Sequence, residues 1–272
     1  MPELPEVESI VRRLRPSLVG RVIERIDIAR PDIVSPGLGV EALLTRTIAQ
    51  VLRHGKTILV GLDPPLWLVI RLGMTGRCSL LSPGAPRVPH THAIITLSGA
   101  SHQLRYSDPR RFGGWRVVES VADITRAPDA LAVRRAAWRA IFTARHGQLR
   151  PLLMNQRVLA GLGNIYTNEA LFAARLHPRE RAVHLSESQR DALFVAIKAT
   201  LRGGIRYGGS TIRDYRGADG ERGGFQERLQ VYGRAGRPCR RRCGALIEKL
   251  PAPRDAQPGF FCPRCQPPLR SS

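Results

Sequence analysis

The first eight residues, Met1-Pro2-Glu3-Leu4-Pro5-Glu6-Val7-Glu8, carry the most reactive chemistry in the chain. Initiator methionine is commonly trimmed ahead of a small residue, and trimming here leaves Pro2 with a free secondary amine beside the Glu3 carboxylate. An α-amino group titrates near pH ~8, so a useful fraction is an unprotonated nucleophile at neutral pH. A secondary amine attacking an aldehyde-level carbon gives an iminium ion, permanently charged and able to draw electrons from adjacent bonds. That is covalent catalysis with the nucleophile built into the chain end. With Met1 retained, the Pro2 nitrogen is an amide and this chemistry is closed. The same letters also read as a helix start. Pro5 suits the first helical position, and Glu3, Glu6 and Glu8 favour the positive end of the helix dipole. Val7, Ile10, Val11 and Leu14 then share one apolar face. The two readings are compatible, because a buried helix would hold the reactive end rigidly.

Lys56 is the second candidate. Lysine occurs only at positions 56, 198 and 249, against a large excess of arginine. Where any cation suffices this chain uses arginine, so Lys56 is a position where a lysine is needed. Its ammonium loses a proton when desolvated, which a guanidinium does not. The balance of 43 Lys+Arg against 22 Asp+Glu gives a net charge of +21, and the sequence pI is near 11.4. Codon bias explains arginine over lysine but not positive over negative, and so large a surplus points to a polyanion partner such as nucleic acid.

Four of the five cysteines, Cys239, Cys243, Cys262 and Cys265, lie near the C-terminus. The acidic N-terminus is unlike an export signal, which places the protein in the reducing cytoplasm and argues against disulfides. The spacing Cys-x₃-Cys, then a long gap, then Cys-x₂-Cys fits a tetrahedral thiolate zinc site. Cys78 reads as a small core residue.

These groups need elements to place them. A chain of 272 residues is long enough for two domains and a smaller third, and no run of apolar residues is long enough to span a membrane. Residues 57–60, 66–72, 93–97, 103–106 and 115–118 are short apolar or alternating runs broken by Gly and Pro, the pattern of a sandwich or barrel. From about residue 130 the periodicity turns helical. Ser186 with Gln189 reads as a capping box opening a helix that runs to Gly203-Gly204. Residues 208–224 form a loop rich in glycine and charge. Residues 230–272 are too short and polar to fold without the metal. In Gly161-Leu162-Gly163-Asn164-Ile165-Tyr166, glycines and a capping Asn precede a helix, and exposed backbone amides there suit a phosphate. Asp108-Pro109-Arg110-Arg111-Phe112-Gly113 sets two arginines beside an aromatic in a turn. It reads either as a wedge entering a base stack, with the arginines facing phosphates or an orphaned base, or as a hairpin turn with Phe112 tucked inwards.

The opening motif, Leu72-Gly73-Met74-Thr75-Gly76, Asp108 to Gly113, Gly163 to Tyr166, Gln230 to Arg234 and the cysteine cluster together resemble the bacterial formamidopyrimidine-DNA glycosylase family over essentially the whole chain. The resemblance implies a multidomain α+β architecture. Residues 1–130 would form an N-terminal β-sandwich with an N-terminal helix, 131–228 a helix–two-turn–helix domain, and 229–272 a C-terminal zinc-finger β-hairpin with one structural Zn²⁺. It further implies a cytoplasmic, nucleoid-associated monomer acting on double-stranded DNA with oxidised or abasic nucleotides, and no membrane. In that scheme Pro2 attacks C1′ of the damaged nucleotide, Glu3 serves as acid and base at the sugar, and Lys56 assists protonation and elimination. Met74, Arg110 and Phe112 fill the space left by the extruded nucleotide, which costs less to extrude when damaged. Arg111 stands beside them in the DNA-facing turn, while His90, Arg145 and Asn164 hold phosphates near the lesion.

Three positions depart from the family pattern. Gln257 stands where the finger usually carries an arginine, and it cannot supply that charge; Arg254, three residues earlier, is the substitute cation available in the sequence. The first cysteine pair has one extra residue between its members. Glu221-Arg222 replaces a basic residue followed by proline. The competing functions are a paralogue acting on oxidised pyrimidines or abasic sites, and a non-catalytic lesion-binding protein of the same fold.

Overall fold

The computed structural model describes residues 1–143, 145–211, 217, 218, 220–251 and 257–268. The chain divides into two compact units, residues 1–126 with 204–226, and residues 127–203 with 227–272.

The first unit is the expected β-sandwich headed by a helix. Helix α1 (Leu4–Leu18) buries Val7, Ile10, Val11, Leu14 and Leu18 in the core, the face anticipated from their spacing. Each such side chain contributes roughly 1.5–3 kcal/mol by leaving water. Pro5 sits one place later than anticipated, because Leu4 is the first helical residue and Glu3 the cap.

Eight strands follow: β1 (Ile23–Ile28), β2 (Thr47–His54), β3 (Thr57–Asp63), β4 (Leu66–Arg71), β5 (Arg77–Leu81), β6 (Thr91–Leu97), β7 (Gln103–Ser107) and β8 (Gly114–Val118). They form two antiparallel four-stranded sheets ordered β1-β6-β7-β5 and β2-β3-β4-β8. Their inner faces and α1 share one core that includes Cys78, Tyr106 and Trp115. Five of the strands were legible as apolar runs. β1, β2 and β5 are sheet edges that alternate buried with charged or polar residues, such as Arg25 and Asp27 in β1, which dilutes the apolar signal.

The second unit holds α2 (Arg135–Thr143), α3 (Leu149–Met154), α4 (Asn164–Ala173), most of α5 (Glu187–Arg206), and a hairpin of β9 (Glu248–Leu250) with β10 (Gly259–Phe261). The anticipated capping box opens α5: Gln189 N–H donates to Ser186 Oγ at 3.2 Å and Ser186 N–H to Gln189 Oε1 at 2.9 Å. The helix passes through Gly203-Gly204 and ends at Arg206. Termination falls at Gly208 and Gly209, whose φ angles of 70° and 84° lie where glycine is at home. Among the described residues no helix is long and apolar enough to cross a membrane.

Candidate active site and metal centre

The N-terminal site begins with a reciprocal cap. Glu3 accepts from the Glu6 backbone N–H, and Glu6 Oε2 accepts from the Glu3 N–H at 2.9 Å. Both carboxylates are buried, at 3 % and 2 % exposure. The other oxygen of Glu6 accepts from Ser210 N–H at 2.6 Å, and Gly209 beside it leaves no room for a Cβ against Glu6. Glu6 was not singled out as a site residue, although its spacing from Glu3 is that of a capping box. Pro2 is buried beneath an exposed Met1.

Lys56 follows Gly55 in the β2–β3 turn and is half-buried. Burial lowers its proton affinity below the usual lysine range, against the opposing charges of Glu3 and Glu6. Lys56 thus lies within electrostatic reach of Glu3, the residue after Pro2, and of Glu6. A strut fixes this arrangement: Arg53, in β2, donates to Glu8 Oε2 at 2.9 Å and to the Gly55 carbonyl at 3.1 Å. It ties helix α1 to the residue before Lys56.

The proposed DNA-facing residues of this unit sit in turns around Asp108, which is fully buried. Its Oδ1 accepts from the Thr75 hydroxyl and from Arg110 N–H at 3.3 Å. Its Oδ2 accepts from Gly113 N–H at 2.9 Å and the Tyr106 hydroxyl at 3.3 Å. Its own N–H donates to the His90 carbonyl at 3.1 Å, and its carbonyl accepts from His92 Nε2 at 2.8 Å. Burial, then the Asp108 charge, raises the proton affinity of Tyr106.

Met74 is half-buried, while His90, Arg110 and Arg111 are exposed. His90 and Arg111 adopt φ of 62° and 52°. Phe112 is 60 % exposed, so of the two readings of this turn the inward-tucked one is corrected. The Arg110 guanidinium lies over its ring at 4.6 Å, and Arg111 pairs with Asp32 at 2.6 Å. Gly73, at φ 58°, is needed because a Cβ there would strike the backbone of Phe112 and Gly113.

In the second unit Asn164 is the first residue of α4 rather than its cap, which is Gly163. It is 4 % exposed. Its Oδ1 accepts from Arg150 Nη2 at 2.6 Å and Asn168 Nδ2 at 2.8 Å, and its Nδ2 donates to the Pro258 carbonyl at 3.0 Å. Asn168 Oδ1 in turn accepts from Phe260 N–H at 2.9 Å, so α4 grips the β9–β10 hairpin. Glu169, also buried, accepts from the N–H groups of Gln230, Val231 and Tyr232, each at 2.9 Å, which fixes the entry to the finger. Arg145 is exposed. Gln257 is exposed and its carbonyl accepts from Arg150, while Arg254 lies outside the described residues.

The cysteine quartet is brought together as expected. The four Sγ atoms of Cys239, Cys243, Cys262 and Cys265 lie within 4.8 Å of one another, with 3.9 Å between Cys239 and Cys265 and 3.5 Å between Cys243 and Cys262. Tetrahedral zinc with Zn–S near 2.3 Å separates its sulfurs by roughly 3.8 Å, so the donor set and spacing fit. Within the first knuckle, with its extra residue, Arg242 adopts φ 55°. The Cys239 and Cys262 side chains share a small core with Phe172, Val231 and Ile247.

Comparison with known proteins agrees with this geometry. Residues 1–115 match the family model of the formamidopyrimidine-DNA glycosylase N-terminal domain, and residues 125–216 match that of the formamidopyrimidine-DNA glycosylase H2TH domain. The chain is 40% identical over 280 residues to a formamidopyrimidine-DNA glycosylase of Heliobacterium modesticaldum, covering 98% of this chain and 100% of the relative. It is 38% identical over 275 residues to that of Edwardsiella ictaluri, with the same coverage of 98% and 100%. The fold superposes on a Lactococcus lactis FPG mutant in complex with a Fapy-dG containing DNA with a TM-score of 0.86, at 33% identity, covering 98% of this chain and 100% of that one. Against the Lactococcus lactis Fpg with an abasic site containing DNA, the TM-score is 0.85 at 33% identity, over 97% and 99% of the chains. With both domain models matched and full-length relatives well above 30% identity, the chain belongs to the formamidopyrimidine-DNA glycosylase family, the DNA glycosylases of base excision repair.

Proposed function

We propose that this protein is a bifunctional glycosylase and abasic-site lyase that removes oxidised purines, 8-oxoguanine and formamidopyrimidines, from double-stranded DNA as a monomer in the nucleoid. The observation that carries the reading is the capped start of α1, whose Glu3, next to Pro2, and Glu6 are within electrostatic reach of a lysine whose charged form burial disfavours.

Once Met1 is removed, the Pro2 amine attacks C1′, the bond to the base breaks, and the base departs with a proton. Opening of the sugar ring, with Glu3 handling the proton at the ring oxygen, leaves an iminium between Pro2 and C1′. Removal of a 2′ proton sends its electron pair into the C1′–C2′ bond while the iminium π pair moves onto nitrogen. As the nitrogen pair returns, the C1′–C2′ pair shifts to C2′–C3′ and expels the 3′ phosphate, with Lys56 taking up and returning protons in these steps. Water then hydrolyses the iminium and frees the amine. Met74, Arg110 and Phe112 occupy the space vacated by the nucleotide, with Arg111 beside them. His90, Arg145 and Asn164 serve phosphates near the lesion, Asn164 through its amide and its grip on the hairpin. The metal is one Zn²⁺ held by Cys239, Cys243, Cys262 and Cys265; it supplies structure, not chemistry. The functional modules are the stretches 1–130, 131–228 and 229–272.

The test is the mass of the mature N-terminus followed by borohydride trapping on abasic-site DNA. A chain lacking Met1 should give a covalent adduct that Pro2→Gly abolishes. No adduct under conditions where a known lyase gives one would favour a lesion-binding protein without catalysis.

A second reading concerns the product. Gln257 offers no positive charge at the finger. The second elimination should therefore lag, leaving an unsaturated aldehyde on the 3′ end. A dominant 3′-phosphate on a sequencing gel would refute this. Comparing 8-oxoguanine with an oxidised pyrimidine in the same assay separates the purine enzyme from the pyrimidine or abasic-site paralogue.

A further inference from the structure

Asp108 joins stretches far apart in sequence, and it does so with neutral donors. The Thr75 hydroxyl, the Tyr106 hydroxyl and the N–H groups of Arg110 and Gly113 all point at one fully buried carboxylate. Its main chain takes in the His90 carbonyl and the His92 ring as well. Thr75 follows Met74, and Phe112 lies between Arg110 and Gly113. Each residue proposed to enter or flank the DNA from this unit is therefore at most one residue from a group bonded to Asp108. A carboxylate accepts at both oxygens, so the four donors aimed at the Asp108 side chain are satisfied together.

We infer that Asp108 is the positioning residue for nucleotide extrusion, locking the Met74–Thr75 turn, the His90 segment and the Arg110–Phe112 turn into one block that enters the DNA together. The inference rests on the reading above that these residues fill the vacated space. It assigns Asp108 to extrusion and not to the sugar chemistry. An asparagine of the same size would turn an NH₂ group towards either the Arg110 N–H or the Gly113 N–H. Donor would then face donor, and one turn would come loose.

The test uses the full chain with its metal and three variants: Asp108→Asn, Thr75→Val and Thr75→Ser. Duplexes carry 8-oxoguanine with 2-aminopurine next to it, whose fluorescence rises when stacking is lost. Trapping with borohydride is run in parallel on single-stranded abasic DNA, where nothing has to be extruded. Asp108→Asn should reduce both the fluorescence rise and lesion release by about tenfold, the scale of one lost charge-assisted hydrogen bond. Thr75→Val should lose severalfold, and Thr75→Ser should restore it. Trapping should stay close to the unmodified protein throughout. The inference is overturned if trapping falls in step with extrusion, if extrusion is untouched, or if Ser and Val behave alike. Should Asp108→Asn not fold, the Thr75 pair decides. Failure of the unmodified protein to trap would instead sink the lyase reading, with the fluorescence still reporting extrusion.

Discussion

Arg150 holds Asn164 and the base of the finger hairpin with one nitrogen: Nη2 donates to Asn164 Oδ1 at 2.6 Å and to the Gln257 carbonyl at 2.5 Å. Burial lowers its proton affinity, offset in part by Tyr232, and its buried Nε has no hydrogen-bond partner among the described residues. Arg150→Met keeps the stem and removes these bonds. It should cost about 1.5–3 kcal/mol in a urea melt, the range for hydrogen bonds to a charged group. Hydrogen exchange at Phe260 N–H should quicken, because its acceptor Asn168 leans on Asn164. An unchanged melt and unchanged exchange would show the network to be idle.

Lys56→Arg tests whether a removable proton matters. Arginine keeps the charge but stays protonated at any accessible pH. Strand nicking after base release should slow by about 10²–10⁴-fold, the usual worth of a positioned acid or base. In the unmodified protein the nicking rate should rise with pH through a midpoint below the ordinary lysine value of 10.5, because burial disfavours the charged form. Equal nicking by the arginine variant would remove Lys56 from the chemistry.

Glu8 gives a pH-dependent stability of known sign. Burial pushes its carboxyl up, but the hydrogen bonds and charges of Arg12 and Arg53 together hold it below the ordinary value of 4.5. Its contribution is therefore fully present above that value and lost as the pH falls through the lower, folded one. Glu8→Gln should destabilise the sandwich by about 3 kcal/mol at pH 7, the low end for a broken buried pair, since Glu8 retains some solvent. The deficit should shrink in melts below the ordinary carboxyl range. A deficit that grows with acid would reverse the assignment.

Metal removal should be local. The finger core includes two of the four ligands, so stripping the ion opens it. Cys262→Ser or a strong chelator should release close to one zinc per chain, measured by atomic emission. Affinity for abasic duplex should fall steeply while helix and sheet signals persist. Retained duplex binding would separate the finger from DNA recognition.

Duplex affinity should also drop along a straight line in log–log salt, since arginines that neutralise phosphates release condensed counterions. A flat response in a fluorescence anisotropy titration would contradict a phosphate grip.

What could be read from the sequence followed from local rules. The apolar face of α1, the capping box at Ser186 and the cysteine spacing are all set by residues within a turn or a knuckle of one another. What could not be read is held by pairs distant along the chain. Glu6 and Ser210 lie 204 positions apart, and Thr75 and Asp108 33. Asp108 was visible only as one letter of a turn motif, because nothing local reveals which donors converge on it. Asn164 looked like a cap because asparagine favours that place; tertiary partners took its side chain instead. Gln257 stood out by its register to Cys262, yet the structure engages its backbone carbonyl, which no side-chain reasoning reaches.

Helix α1 leaves the proposed nucleophile no slack. Its inward face is packed along its whole length, and both carboxylates at its head are spoken for. Pro2 therefore has no private route to disorder: it is displaced only when the sandwich beneath it melts. On heating, the ability to form the borohydride adduct should vanish in the same sharp, reversible step as the near-ultraviolet signal of Trp115, with no earlier, gradual decline.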